Sequence, residues 1–116
     1  MSVVGLLIRL LVTTLAVLVA SYVLSPSYFS VDDIQTAVIF ALVLGLLNAI
    51  VRPILAIITF PLTILTLGLF LLVLNALMFW LAAAFVPGVH VAGFIGAFLG
   101  ALIATVVSAV ISHFVH

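Results

Sequence analysis

The sequence is divided into four long apolar runs by short breaks of Pro, Gly and polar residues. The first, Val3 to Leu24, carries one charge, Arg9, and ends in Ser25-Pro26-Ser27. The second begins near Ile34 and reaches Val51, where Arg52-Pro53 interrupts it. Pro61 opens the third, which stops at Pro87-Gly88, and the fourth extends from about Val91 to Val115. A hydrocarbon core of about 30 Å is crossed by roughly 20 helical residues, so four crossings fit and a fifth does not. Strand readings lose because an open sheet cannot satisfy its edge groups in lipid and the runs lack polar/apolar alternation. The expectation is an all-α, integral-membrane bundle of four transmembrane helices, one domain over residues 1–116. Its spans fall near 3–24, 34–51, 62–86 and 91–115, with a re-entrant or interfacial segment at 52–61.

Composition supports the same class. The hydrophobic set makes up 70% of the chain, and the full charges are two Arg and two Asp. That supply could not cover a particle of this size with polar surface, so a water-soluble domain is excluded. A near absence of positive charge also excludes nucleic acid as a partner and leaves the lipid bilayer as the principal one. With no Cys, there is neither a disulfide framework nor a thiolate metal site. The first run lacks a basic stretch before its apolar part and has Leu18 where a cleavage site would want a small residue, so it is read as a span and not as a signal peptide.

The few charges set the topology. Arg9 and Arg52 on the cytoplasmic side leave Asp32, Asp33 and the turn around His90 outside, with both termini cytoplasmic. Tyr22, Tyr28, Phe29, Phe79, Trp80 and Phe85 would then gather near the outer interface, with Trp80 an anchor. A helix beginning only at Leu10 would be about 22 Å long, so Arg9 belongs within the first span and snorkels to the inner headgroups.

Several polar residues invite a chemical reading. Ser30, Asp32 and Asp33 fit a helix cap on the second span, with Ser30 accepting from exposed amides; a cation site on the two carboxylates would need more oxygen ligands than the loop offers. His113 and His116 are spaced for one helical face but lack a third ligand, and His90 lies in a turn. Asn48 and Asn75 are amides in apolar runs and should face protein, either in interhelical hydrogen bonds or as a polar step in a solute path. Thr59, Thr63 and Thr66 could line a broken-helix site, or could bond their own helix carbonyls. No nucleophile, base and orienting group can be assembled, so no catalytic residues, cofactor or metal are expected and the chain is read as a non-enzyme.

Small residues form the strongest pattern. In the fourth span Gly96, Gly100, Ala104, Ser108 and Ser112 recur every four residues beside a second row of Gly93, Ala97, Ala101, Thr105 and Ala109. In the second, Ala37, Ala41, Gly45 and Ala49 do the same. Lipid gives helices little hydrophobic reason to associate, so close approach over such stripes drives packing. These two spans are expected to pack closely, against each other or against copies.

The stretch Leu44-Gly45-Leu46-Leu47-Asn48-Ala49-Ile50-Val51-Arg52-Pro53-Ile54-Leu55, followed by Pro61-Leu62-Thr63-Ile64-Leu65-Thr66-Leu67-Gly68-Leu69-Phe70 and Leu74-Asn75-Ala76-Leu77-Met78, resembles phage holin superfamily IV. The likeness covers about two thirds of the chain, and the first helix carries none of it. It implies a four-span protein of the bacterial inner membrane. Two functions are then weighed. A helix-packing structural or accessory subunit, self-associated or part of a larger membrane complex, suits the small-residue stripes. A holin-like oligomeric pore would need a helix face that water wets, which the scattered polar residues supply poorly.

Overall fold

The computed structural model describes residues 2–24 and 26–115. These described residues form five helices and two short strands, in order α1 (Val3–Val23), β1 (Phe29–Val31), α2 (Ile34–Ile58), α3 (Phe60–Leu65), α4 (Phe70–Phe85), β2 (Val89–Val91) and α5 (Gly93–Val115). Among the described residues α1, α2 and α5 are long and apolar enough to cross a membrane, and α4 is a shorter apolar helix. At 1.5 Å per residue the 21 residues of α1 extend about 31 Å and the 16 of α4 about 24 Å. Together they form an all-α, four-helix membrane bundle.

α1 packs against α2 and α5, and α4 packs against the same two. The cyclic order is therefore α1-α2-α4-α5, with α2 and α5 on opposite corners. This excludes the first of the two arrangements expected for the second and fourth spans, pairing with each other, and leaves the second, packing against copies. An antiparallel four-helix ring puts sequence neighbours side by side, so α2 and α5, two spans apart, meet only across the axis.

The chain ends of the helices are set locally. The Gly5 amide donates to Ser2 Oγ at 3.0 Å, capping α1. At α2 the cap is Asp33, whose Oδ1 accepts from the Thr36 amide at 2.8 Å. Ser30 does not cap: it lies within β1, opposite His90 in an antiparallel ribbon that also pairs Phe29 with Val91 and Val31 with Val89. Strand pairing holds residues 29–31 extended, so the helix starts later and the side chain just before it takes the role. The ribbon was not anticipated from sequence; it joins the α1–α2 and α4–α5 connections at one end of the bundle, here the ribbon end.

At the other end, the arginine end, α2 does not stop at Val51. It continues through Pro53 to Ile58. Proline removes one ladder hydrogen bond, but in lipid the neighbouring backbone groups have no water to turn to and keep their helical partners. The expected re-entrant segment 52–61 is thus mostly the last two turns of α2, which is capped at Thr59. The third span is also divided: α3 closes with Leu67 (φ 57°) and Gly68 (φ 89°) in the left-handed region, while the Gly68 amide reaches Thr63 O and the Leu67 amide reaches Ile64 O. That pairing is a Schellman stop. Thr66 Oγ1 then accepts from the Phe70 amide at 3.1 Å and starts α4.

The ribbon half of the bundle is filled by aromatic rings. Phe29, Phe40 and Phe79 are fully buried, with ring centroids 4.8 Å apart for Phe40–Phe79 and 5.0 Å for Phe29–Phe79. Phe29 and Phe79 are therefore core residues, not members of an interfacial belt; Tyr22, Tyr28, Trp80 and Phe85 remain exposed. The outer surface is apolar, with Leu7, Leu11 and Leu15 on α1 and Leu42, Leu46, Ile50 and Ile54 on α2 facing outward. Large side chains outside and alanines inside are what a lipid solvent selects.

Candidate functional site

The arginine half of the bundle is built differently. Where Phe29, Phe40 and Phe79 fill the axis above, small side chains line it below: Ala16 and Thr13 on α1, and Ala101, Ala104, Ser108, Ala109 and Ser112 on α5. They leave a cavity of about 620 Å³ between α1, α2, α4 and α5. Phe79 and Leu44 stand at its deep end, and the exposed Arg9 and Ser112 stand toward its mouth.

The polar residues singled out from the sequence converge here. Arg9 of α1 and Arg52 of α2 both border the cavity, as do Asn48 of α2 and Asn75 of α4. Arg9 therefore faces protein-lined space and does more than snorkel along lipid. The two asparagines do not pair with each other. Asn75 Nδ2 donates to Thr105 Oγ1 at 2.6 Å, an interhelical bond tying α4 to α5. Asn48 Oδ1 is buried without a hydrogen-bond partner among the described residues, an exception among buried polar atoms.

The threonines of the reversal are accounted for by their own helices. Thr59 Oγ1 donates to Leu55 O at 2.7 Å, Thr63 Oγ1 to Thr59 O at 3.2 Å and Thr66 Oγ1 to Leu62 O at 3.0 Å. Each hydroxyl proton is thereby used within its own turn.

The small-residue stripes divide by position. A Cβ on Gly96 would strike the Tyr28 carbonyl, and one on Gly100 would come within 2.8 Å of Phe79 Cε1. These two glycines and the buried Ala97, Ala101 and Ala104 admit the ribbon connection and the aromatic cluster. Ser108 lines the cavity. Gly93, with φ 61° and open space around it, is a turn residue at the start of α5. On α2, Ala37 and Ala41 are buried, whereas Gly45 and Ala49 lie exposed, with nothing over Gly45.

At the ribbon end Asp32 Oδ1 lies 2.9 Å from His90 Nε2, both side chains well exposed. The Asp33 carboxyl is held below the usual carboxylate range by the Thr36 amide and hydroxyl. His113 is exposed near the end of α5, and His116 lies outside the described residues. The sequence reading singled out Arg9, Arg52, Asn48, Asn75, Ser108 and Ser112 but missed the cavity they share; Thr13, one helical turn from Arg9, was the available signal.

Comparison with known proteins agrees with this architecture. An uncharacterized protein, SCO3922, of Streptomyces coelicolor is 52% identical over 63 residues, covering 51% of this chain and 50% of that protein. The uncharacterized membrane protein YvlD of Bacillus subtilis is 43% identical over 54 residues, 47% of this chain and 45% of its own. The matched stretch thus spans about half the length of either relative. No solved structure matches. The family described as mycobacterial 4 TMS phage holin, superfamily IV, matches residues 4–110. Four apolar helices, an arginine end and this near-complete match lead to one assignment: the chain belongs to the phage holin superfamily IV of bacterial membrane proteins.

Proposed function

We propose that the chain is a non-enzymatic, non-conducting protein of the bacterial inner membrane, serving as a helix-packing structural or accessory subunit. The observation that carries this reading is the blind cavity: the Phe29–Phe40–Phe79 cluster fills the bundle axis beyond its deep end. Water entering from the arginine end meets aromatic rings, not a path onward. The cavity offers amides, hydroxyls and guanidiniums, none of which is a base near neutral pH, so it suits holding a group more than transforming one. Arg9 and Arg52 at one end and Asp32 and Asp33 at the other favour the arginine end and both termini in the cytoplasm.

The accessory role rests on the outward half of the α2 stripe. Gly45 and Ala49 allow another helix to approach closely, by dispersion and weak hydrogen bonds. Purified protein in detergent should have the mass of more than one chain, and Gly45→Leu should reduce it; a monomeric wild type would remove this part of the reading. Conduction is tested with vesicles loaded with a small dye. The wild type should hold them tight, and dye release that grows with protein density would establish the holin-like pore instead.

A further inference from the structure

We propose that the cavity is a binding site for a phosphate-bearing anion, held by Arg9 and Arg52 and entered from the arginine end. Both full cations of the chain border this one space, while its only two acidic side chains, Asp32 and Asp33, belong to the opposite end. One of those acids already pairs with His90 and the other caps α2. No side-chain carboxylate is therefore placed to neutralise either guanidinium. Cations within membrane helices are rare and face partners or water, and a guanidinium fork matches phosphate oxygens with two parallel donors.

The remaining lining specifies the ligand further. Thr13, Ser108 and Ser112 add hydroxyls that can donate to phosphate oxygens. Asn48 borders the cavity and brings a side-chain amide that can hydrogen-bond a polar ligand, which suits a group with hydroxyls of its own, as a glycerol-type phosphate ester has. Val12, Leu44, Leu71 and Leu72 supply apolar wall. A volume of about 620 Å³ exceeds what a bare phosphate needs and falls in the range of small-molecule pockets. The chemistry fits either a soluble phosphate ester or the headgroup of an anionic glycerophospholipid. The inference goes beyond the non-conducting reading and stands whether or not vesicles leak.

The test uses the full chain in zwitterionic nanodiscs. Glycerol 3-phosphate is titrated in one arm, and phosphatidylglycerol is mixed into the discs in the other, with binding read by native mass spectrometry and thermal stability. Binding in the first arm identifies a soluble ester; binding in the second alone identifies a headgroup; both uphold the site. Arg52→Gln and Arg9→Gln should each weaken it by about tenfold or more, the scale of a charge-assisted hydrogen bond. Should either variant misfold, glycerol is titrated against the wild type in its place and, lacking the phosphate, should bind about tenfold more weakly or not at all. Binding of neither probe by the wild type, or equal binding of glycerol and glycerol 3-phosphate, would overturn the proposal.

Discussion

Glycines that look equivalent along the sequence differ in what surrounds them. Gly96→Ala places a methyl against the Tyr28 carbonyl, a backbone atom that cannot swing aside. It should destabilise the protein by about 1–3 kcal/mol in reversible unfolding from detergent micelles. Gly45→Ala enters open space within a helix and should be neutral or stabilising by up to about 1 kcal/mol. A reversed order of the two variants would mean that α5 does not press on the ribbon connection. Asp33 gives a pH signature. Its folded pKa lies below the unfolded value, so its contribution is present above the ordinary carboxylate range and is lost as pH falls through the folded pKa. Thermal unfolding followed from about pH 5 downward should show a loss of stability below about pH 4 that Asp33→Asn lacks.

Among the elements, the reversal between α2 and α4 carries the clearest local strain. Leu67 occupies the left-handed region beside Gly68, without the freedom glycine has there. Leu67→Gly should raise stability by up to about 1 kcal/mol, while Gly68→Ala should lower it by a similar amount. Thermal melts of the two variants check this, and a loss of stability in Leu67→Gly would show that its exposed side chain matters more than its backbone. The helices themselves were legible because apolar runs of spanning length admit few other structures. Their ends were less so. Pro53 reads as a stop by the rules of water, but α2 passes through it because lipid offers the flanking backbone no alternative partner. Ser30 has the composition of a cap but lies in a strand, a pairing decided by β2, far away in sequence.

For the whole molecule, the division into a filled half and a hollow half follows from which side chains meet on the axis. Phe29 and Phe79 could be read as interfacial aromatics because nothing local tells an inward ring from an outward one. Arg9, Arg52, Asn48, Asn75 and Ser108 were each conspicuous in the sequence, but their convergence required the cyclic order α1-α2-α4-α5, which no single helix encodes. Removing a ring tests the plug: Phe79→Ala should join the cavity to the ribbon half and make loaded vesicles leak a small ion that the wild type retains. Equal tightness would show that Phe29 and Phe40 close the axis unaided. The most direct measurement uses the absence of native cysteine. Ser108→Cys and Ser112→Cys are each treated with a membrane-impermeant thiol reagent applied to one face of oriented vesicles at a time. A blind polar cavity predicts that both label from the same single face and neither labels from the ribbon side. Labelling of Ser108→Cys from both faces, or from neither, would contradict it.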